Sequence, residues 1–194
     1  PFQVDEMSFS IGCSIGIALY PEDGRTLDEL IKCADTAMYL VKERGRGSFR
    51  FYQPQMNVNL LSRIKMDHAM RQAMEQGLFR LHYQPQIALS SGRLLGAEAL
   101  IRWTDTELGN VSPALFIPLA EESGLILPLG EWVLKQACMQ LAEWSKVPEL
   151  ASMQLAVNVS AQQFRQPDFV PQVLSIVERC GIEPSRLKLE LTES

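Results

Sequence analysis

The order of apolar strands and amphipathic helices after residue 78 constrains the fold more than any other feature of the sequence. Two strand patterns, LFRLHYQPQIAL and LLGAEALIRW, flank the turn SSGR and predict a β-hairpin. Helical patterns at about 113–122, 129–146 and 168–180 then alternate with the strand patterns SMQLAVNVS and RLKLELTE. These strands are apolar almost throughout, which is typical of parallel strands covered on both faces. The sequence therefore predicts an α/β fold with a mainly parallel sheet or barrel.

The first 53 residues predict a separate α/β segment. The stretch EMSFSIGCSIGIALY favours a strand that is closely approached at Gly12 or Gly16, and SFRFY favours a short edge strand. Between them, LDELIKCADTAMYLVKERG has an apolar helical face, and Thr26 can cap its start. The polar stretch QPQMN suits a domain boundary, and a helix over about 59–76 follows it. We therefore predict one segment at 1–53, a linker and connecting helix at 54–77, and a second domain at 78–194.

Length and charge exclude several classes of protein. The 194 residues are 46% hydrophobic and 21% charged, which is enough for at least one buried core. The net charge is −5, whereas a protein that grips long nucleic acid is usually basic, so that partner is disfavoured. No apolar run approaches the roughly 18 residues of a membrane helix. The chain starts and stops inside predicted elements, so we expect a longer protein, with room for sensor or membrane segments upstream.

Cysteine and histidine usage argues against a zinc or redox site. The four cysteines form no C-x-x-C pair, and only two histidines occur. Scattered cysteines in apolar surroundings are typical of reduced core residues in a cytosolic domain. We therefore expect a cytoplasmic location, either for a free protein or for the cytoplasmic part of a membrane-anchored one.

Three polar residues interrupt the apolar strands at similar positions. Glu98 lies in GAEALI, Asn158 in LAVNVS and Glu190 in LKLELTE, each toward the C-terminal end of its strand. In parallel α/β folds these strand ends meet at one rim, and that rim carries the chemistry. Because strand side chains alternate between faces, Glu98 shares one side of its strand with Leu100 and Arg102. Two carboxylates and an amide oxygen would then form a cluster of hard oxygen ligands.

Two interpretations of this cluster are compatible with the residues. Oxygen ligands without Cys or His favour Mg²⁺ or Mn²⁺, and a divalent ion would offset the cost of burying the Glu98 carboxylate. Alternatively, Glu98 pairs with Arg102 or with a backbone amide, and Asn158 hydrogen-bonds to the backbone groups at the end of its strand. Single buried polar groups of this kind are common.

Five sequence blocks resemble a known family. In order, YQPQI, GAEALIRW, FIPLAEESGLI, AVNVSAQQF and LKLELTES are similar to the signature blocks of the EAL family, bacterial phosphodiesterases of the second messenger cyclic di-GMP. Earlier in the chain, SIGIALYPEDG and ADTAMYLVKERGR resemble the C-terminal end of a GGDEF domain, the diguanylate cyclase module. The resemblance implies a tandem GGDEF–EAL protein.

The resemblance implies a fold and a metal centre. The EAL part would be a partial (β/α)₈ TIM-like barrel whose first strand is antiparallel, preceded by the C-terminal part of an α/β GGDEF domain. Two divalent ions, Mg²⁺ or Mn²⁺, would lie at the strand C-terminal rim, with Glu98, Asn158 and Glu190 as ligands. Glu98 would thereby take part in catalysis. Glu193 would steady a neighbouring catalytic loop rather than bind metal.

The resemblance also implies a reaction, the hydrolysis of cyclic di-GMP to linear pGpG. Gln84, Leu100 and Arg102 would face the substrate, with the Arg102 guanidinium toward a phosphate. Two ions can activate a water molecule, withdraw charge from the phosphoryl oxygens and stabilise the departing alkoxide. The family also leaves room for a homodimer through either domain.

Parts of the family pattern lie outside the sequence. No GGDEF signature occurs in 1–52, and the paired aspartates, the lysine and the last metal-binding glutamate of EAL domains would follow Ser194. About four of eight barrel strands are present, which leaves strand edges open. We therefore expect the 194-residue chain alone to be inactive and marginally stable.

Two other functions are compatible with parts of the sequence. One is a module that has lost catalysis and senses cyclic di-GMP. The other is a metabolic α/β-barrel enzyme outside the EAL family, which the presence of all five blocks disfavours.

Overall fold

A computed structural model describes residues 2–4, 7–9, 12–43 and 47–192 of the chain. The chain divides into two compact units, Pro1–Met66 and Asp67–Ser194, and each is described by itself. Within the described ranges, no helix combines the length and the apolar character that a membrane crossing requires.

The first unit contains two small sheets and a helix. Its elements are β1 (Phe2–Val4), β2 (Met7–Phe9), β3 (Ile15–Ile17), α1 (Leu27–Glu43), β4 (Phe49–Phe51) and the first part of α2 (Pro54–Gln76). The strands β1 and β2 pair antiparallel, and β3 and β4 pair parallel. A small core of Ala37, Leu40 and Met56 lies within this unit.

Local predictions for the first unit are largely confirmed. The Thr26 hydroxyl accepts a hydrogen bond from the Glu29 amide at 3.3 Å, and Glu29 Oε2 accepts one from the Thr26 amide at 3.1 Å. This reciprocal pair is a capping box, and it begins α1 as expected. Gly16 lies so close to α1 that an added Cβ would overlap the Ala34 carbonyl oxygen, which confirms close approach at that glycine.

The helix α2 begins earlier than expected. We predicted an irregular boundary over 53–57 and a helix from about 59, but the helix starts at Pro54. Proline fits the first turn of a helix because its missing N–H would have no partner there. Pro54 therefore starts an element rather than interrupting the chain.

The second unit is built on a five-stranded mixed sheet. Its strands are β5 (Phe79–Ile87), β6 (Leu94–Asp105), β7 (Gly109–Val111), β8 (Gln154–Ser160) and β9 (Leu187–Thr192). The order is β5-β6-β8-β9, with β7 paired to β6. The β5–β6 and β6–β7 pairs are antiparallel, whereas β6–β8 and β8–β9 are parallel. Both the predicted hairpin and the predicted parallel sheet are confirmed.

Helices connect the parallel strands. They are α3 (Pro113–Ser123), α4 (Ile126–Trp144), α5 (Ala161–Phe164) and α6 (Phe169–Cys180), with a 3₁₀ turn at Pro184–Arg186. The helices α3 and α6 each end at a glycine with positive φ, Gly124 at 76° and Gly181 at 63°. Such a left-handed residue stops a helix, and glycine adopts it without strain.

The sequence analysis missed β7, α5 and the 3₁₀ turn at Pro184–Arg186. The Asp105 carboxylate accepts hydrogen bonds from the amides of Glu107 and Leu108 at 2.8 and 3.0 Å, which folds the chain back at a turn. The turn extends β6 to Asp105, two residues beyond the expected strand. The helix α5 has only four residues, too few for a periodic apolar pattern.

Alternation along β8 separates the core from the opposite face of the sheet. Leu155, Val157 and Val159 are buried in a cluster with Ala137 of α4 and Ile176 of α6. Cys138 also lies in this cluster, and burial, with a smaller effect of Cys180, raises its thiol pKa to about 12. The expectation of buried cysteines is therefore confirmed for Cys138, but it is wrong for Cys13, which is exposed.

Arg186 ties the segment before β9 to the end of α4. Its side chain is 7% exposed, and its guanidinium donates to the carbonyl oxygens of Met153 at 3.0 Å and Leu150 at 3.4 Å. It also donates to the Ser145 hydroxyl. Because hydrogen bonds from charged donors are strong when buried, this residue holds β9 against the rest of the unit.

We expect Arg186→Met to lower the free energy of unfolding by about 2–4 kcal/mol, because it leaves buried acceptors unpaired. Urea denaturation of the natural protein, followed by tryptophan fluorescence, measures this. The control is Arg179→Met in the exposed last turn of α6, which we expect to cost less than about 1 kcal/mol. Equal losses of unfolding free energy in the two variants would contradict the stabilising role of the Arg186 hydrogen bonds.

Candidate active site

The strand register brings the candidate residues onto one face of the sheet. Gln84 of β5 is the Cα partner of Glu98 on β6, and Glu98 is the partner of Ala156 on β8. Asn158 is in turn the partner of Glu190 on β9. Partners in register share a face, and this one is opposite to the helix-covered face that buries Val157.

Glu98 takes its hydrogen bond from Asn158. The Asn158 amide nitrogen Nδ2 donates to Glu98 Oε1 at 2.7 Å, across 60 residues of sequence. Glu98 is half-buried, so its carboxylate retains part of its hydration and does not demand a full counter-charge. The bond uses the amide nitrogen, so it leaves the side-chain oxygen of Asn158 unused.

Arg102 does not pair with Glu98, contrary to one of the two alternatives from the sequence. Arg102 lies four positions after Glu98 on the strand, roughly 13 Å away at about 3.3 Å per residue. The Arg102 guanidinium instead donates to the Ile101 carbonyl oxygen at 2.8 Å.

Glu190 lies beside Asn158 in register but forms its ion pair with a residue of its own strand. The Lys188 ammonium is 2.7 Å from Glu190 Oε1, and the side chains are 56% and 32% exposed respectively. Lys188 lies two residues before Glu190, so both side chains are on the face that carries Glu98 and Asn158.

The other predicted site residues fall in different places. Gln84 is exposed on β5, next to Glu98 in register. Leu100 and Arg102 line a cavity of about 430 Å³. Glu193, the expected loop-steadying residue, lies outside the described residues.

This cavity has mostly apolar walls, and Asn158 forms part of its lining. One wall is the end of β6, and two others come from α3 and α4. Its apolar lining includes Leu100, Ala114, Ile117, Ile126, Leu129 and Val133. Arg102, Glu121 and Asn158 supply polar groups. A pocket of this size, with apolar walls and a few placed polar groups, is typical of a small-molecule site.

A buried side chain supports the end of β8. Ser160 and Gln163 form a capping box, in which Gln163 Oε1 accepts from the Ser160 amide at 3.1 Å and the Ser160 hydroxyl accepts from the Gln163 amide at 3.2 Å. Gln163 is 6% exposed, and its side-chain amide fills the space above Gly130 of α4. A Cβ at position 130 would overlap Gln163 Nε2. This contact fixes the strand end two residues after Asn158.

The donor set fits Mg²⁺ or Mn²⁺ better than zinc or copper. Glu98, Asn158 and Glu190 offer only oxygen ligands, which Mg²⁺ and Mn²⁺ prefer. Among the described residues, no group of three His, Cys, Asp or Glu side chains is placed to hold a metal ion. A set that includes an asparagine differs from such a group, so the fit depends on the Asn158 carbonyl oxygen.

Sequence reasoning missed Lys188, Gln163 and Gly130. The two-residue period of a strand was enough to place Lys188 beside Glu190 on the same face. The pattern S-x-x-Q at 160–163 is a capping-box signal, and it was visible in the sequence. The contact of Gln163 with Gly130 joins two elements 33 residues apart, and no local pattern encodes it.

Two protein families match parts of the chain. The EAL domain family matches residues 67–194, so the chain belongs to the EAL domain family. The diguanylate cyclase GGDEF domain matches residues 1–48. In keeping with this family, the mixed α/β unit with its antiparallel first strand is part of a TIM-barrel-like fold.

Curated relatives align over the whole chain. It is 43% identical over 194 residues to MucR of Pseudomonas aeruginosa, a bifunctional diguanylate cyclase and cyclic di-GMP phosphodiesterase, and covers 28% of that protein. It is 38% identical over 194 residues to the cyclic di-GMP phosphodiesterase PdeR of Escherichia coli, and covers 29% of it. The chain thus spans less than a third of the length of these relatives.

A solved structure resembles the chain as well. The PaMucR phosphodiesterase in its cyclic di-GMP complex superposes with a TM-score of 0.64 and 43% identity. The match covers 67% of this chain and 52% of that one.

We expect Gly130→Ala to destabilise the protein by about 1–2 kcal/mol, although alanine is normally about 1 kcal/mol better than glycine within a helix. The new methyl group would displace Gln163 from its buried cap. In a Gln163→Ser background the space is open, and the same substitution should become stabilising. Urea denaturation of all four proteins gives the double-mutant cycle, and additive effects would contradict the coupling.

Proposed function

We propose that this chain forms part of a metal-dependent phosphodiesterase that hydrolyses cyclic di-GMP to linear pGpG. The observation that carries the proposal is the contact between Glu98 and Asn158, with Glu190 in register beside them, in a chain of the EAL domain family. MucR and PdeR are both named as cyclic di-GMP phosphodiesterases, and the PaMucR structure contains cyclic di-GMP. Phosphodiesterases of this family are metal-dependent in general.

In this proposal, Glu98, Asn158 and Glu190 hold two divalent ions, Mg²⁺ or Mn²⁺, together with residues that the chain does not contain. When bound, such ions activate water and offset negative charge on the phosphoryl oxygens. The carboxylates of Glu98 and Glu190 would balance the positive charge of the ions. The Asn158–Glu98 hydrogen bond keeps two of the three side chains oriented before any ion binds.

The substrate would lie against the cavity beside this cluster. Arg102 is part of the cavity wall, and its planar guanidinium suits a phosphate oxygen. Leu100 contributes apolar surface at the same wall, and Gln84 lies next to Glu98 on the neighbouring strand. Glu193 keeps its proposed role as the residue that steadies a catalytic loop.

Other parts of the proposal concern the whole protein. We infer that residues 1–53 are the C-terminal part of a GGDEF domain, 54–77 a linker and connecting helix, and 78–194 the N-terminal half of an EAL domain, within a tandem GGDEF–EAL protein. We also infer a cytoplasmic location, which agrees with the unpaired cysteines of the described chain, and a homodimer. The 194-residue chain alone should not turn over cyclic di-GMP.

We expect the natural protein to convert cyclic di-GMP to pGpG only in the presence of Mg²⁺ or Mn²⁺. Glu98→Gln should reduce kcat at least 100-fold, because the neutral amide removes a charged ligand from the cluster. Product formation is measured by chromatography with cyclic di-GMP as the sole substrate.

The matched control is Glu131→Gln, which changes an exposed carboxylate on α4 and should leave turnover unchanged. If the protein binds cyclic di-GMP but does not hydrolyse it in the presence of either ion, the result would contradict the hydrolase function and support the sensor function. A protein that neither binds nor hydrolyses cyclic di-GMP would contradict both.

A further inference from the structure

Lys188 is a charged residue in the candidate metal site that the proposed mechanism does not use. Its ammonium is 2.7 Å from Glu190 Oε1, so it occupies one side of a carboxylate to which we assign a metal ligand role. The side chain is 56% exposed, which leaves it free to move away from this contact.

The register places Lys188 among the ligands rather than beneath them. Lys188 is the Cα partner of Ala156, which is in turn the partner of Glu98, so the three residues form one row across the sheet. Alanine is too small to separate a long side chain from its neighbours. The described cluster thus contains two carboxylates, one amide and one ammonium, with a formal charge of −1 rather than −2.

We propose that Lys188 is a resident counter-cation of the metal site, one that weakens its affinity for divalent ions. This inference rests on the proposed function, because it takes Glu98, Asn158 and Glu190 as the ligands. A dication that approaches Glu190 meets the ammonium on the same carboxylate. It must displace Lys188 or bind against its charge.

The size of the effect follows from the distances involved. A single and a double positive charge several Å apart repel by much more than a tenfold change in affinity requires at the effective dielectric constant of a protein surface, and by about tenfold at that of water. Salt screening and the mobility of an exposed lysine reduce this repulsion, so a much larger change is not expected.

The test is Mn²⁺ binding to the metal-free natural protein, with free Mn²⁺ counted by electron paramagnetic resonance and no substrate present. Lys188→Met keeps most of the length of the side chain and removes its charge, and we expect Mn²⁺ to bind about tenfold more tightly. Lys188→Arg keeps the charge and should remain within about twofold of the wild type. A Kd for Lys188→Met within about twofold of the wild type, or a weaker one, overturns the proposal.

Two further variants make the result specific. Lys146, just after the end of α4, forms an exposed ion pair with Glu143 at the same 2.7 Å distance, so Lys146→Met removes an equivalent charge elsewhere and should leave Mn²⁺ binding unchanged. Glu98→Gln tests the ligand set itself. If Glu98→Gln weakens Mn²⁺ binding but Lys188→Met changes nothing, only the role of Lys188 fails. If Glu98→Gln changes nothing, the proposed metal site fails, and this inference with it.

Discussion

The parallel register of β6, β8 and β9 is the constraint on which the rest of the second unit depends. Because side chains alternate, the register that buries Leu155, Val157 and Val159 against α4 and α6 turns Asn158 to the opposite face. A shift of one residue would bury Asn158 and expose the core. The free energy of core packing therefore also determines which polar residues meet at the site.

The site residues differ in how they are held, and this explains how polar groups persist in apolar strands. Glu98 retains partial hydration and gains a hydrogen bond from Asn158, so it avoids the cost of an isolated buried carboxylate. Glu190 has a cation on its own strand. Both carboxylates therefore have a polar partner within the described chain.

Local and near-periodic signals account for what could be predicted from the sequence. The SSGR turn and the alternation around it predicted the β5–β6 hairpin, and apolar strands between helices predicted parallel pairing. The alternative in which Glu98 pairs with Arg102 was wrong because Asn158 on the neighbouring strand donates to Glu98, whereas Arg102 lies four positions along β6 and donates to the Ile101 carbonyl oxygen. Contacts such as Gly130 with Gln163 depend on the packing of distant elements, which periodicity does not encode.

The capping box at Ser160 connects the core to the site. Gln163 contacts Gly130, which lies in α4 beside buried Leu129 and faces the same cavity as Asn158. Gln163 is buried, its side-chain oxygen accepts one hydrogen bond, and its backbone amide donates another, so this residue holds the strand end after Asn158 against α4. Among the described residues, the contact given for Lys188 is its ion pair with half-buried Glu190 of the same strand. The two sides of the candidate site therefore differ in stiffness: the β8 side is preorganised, and the β9 side can rearrange when a cation approaches.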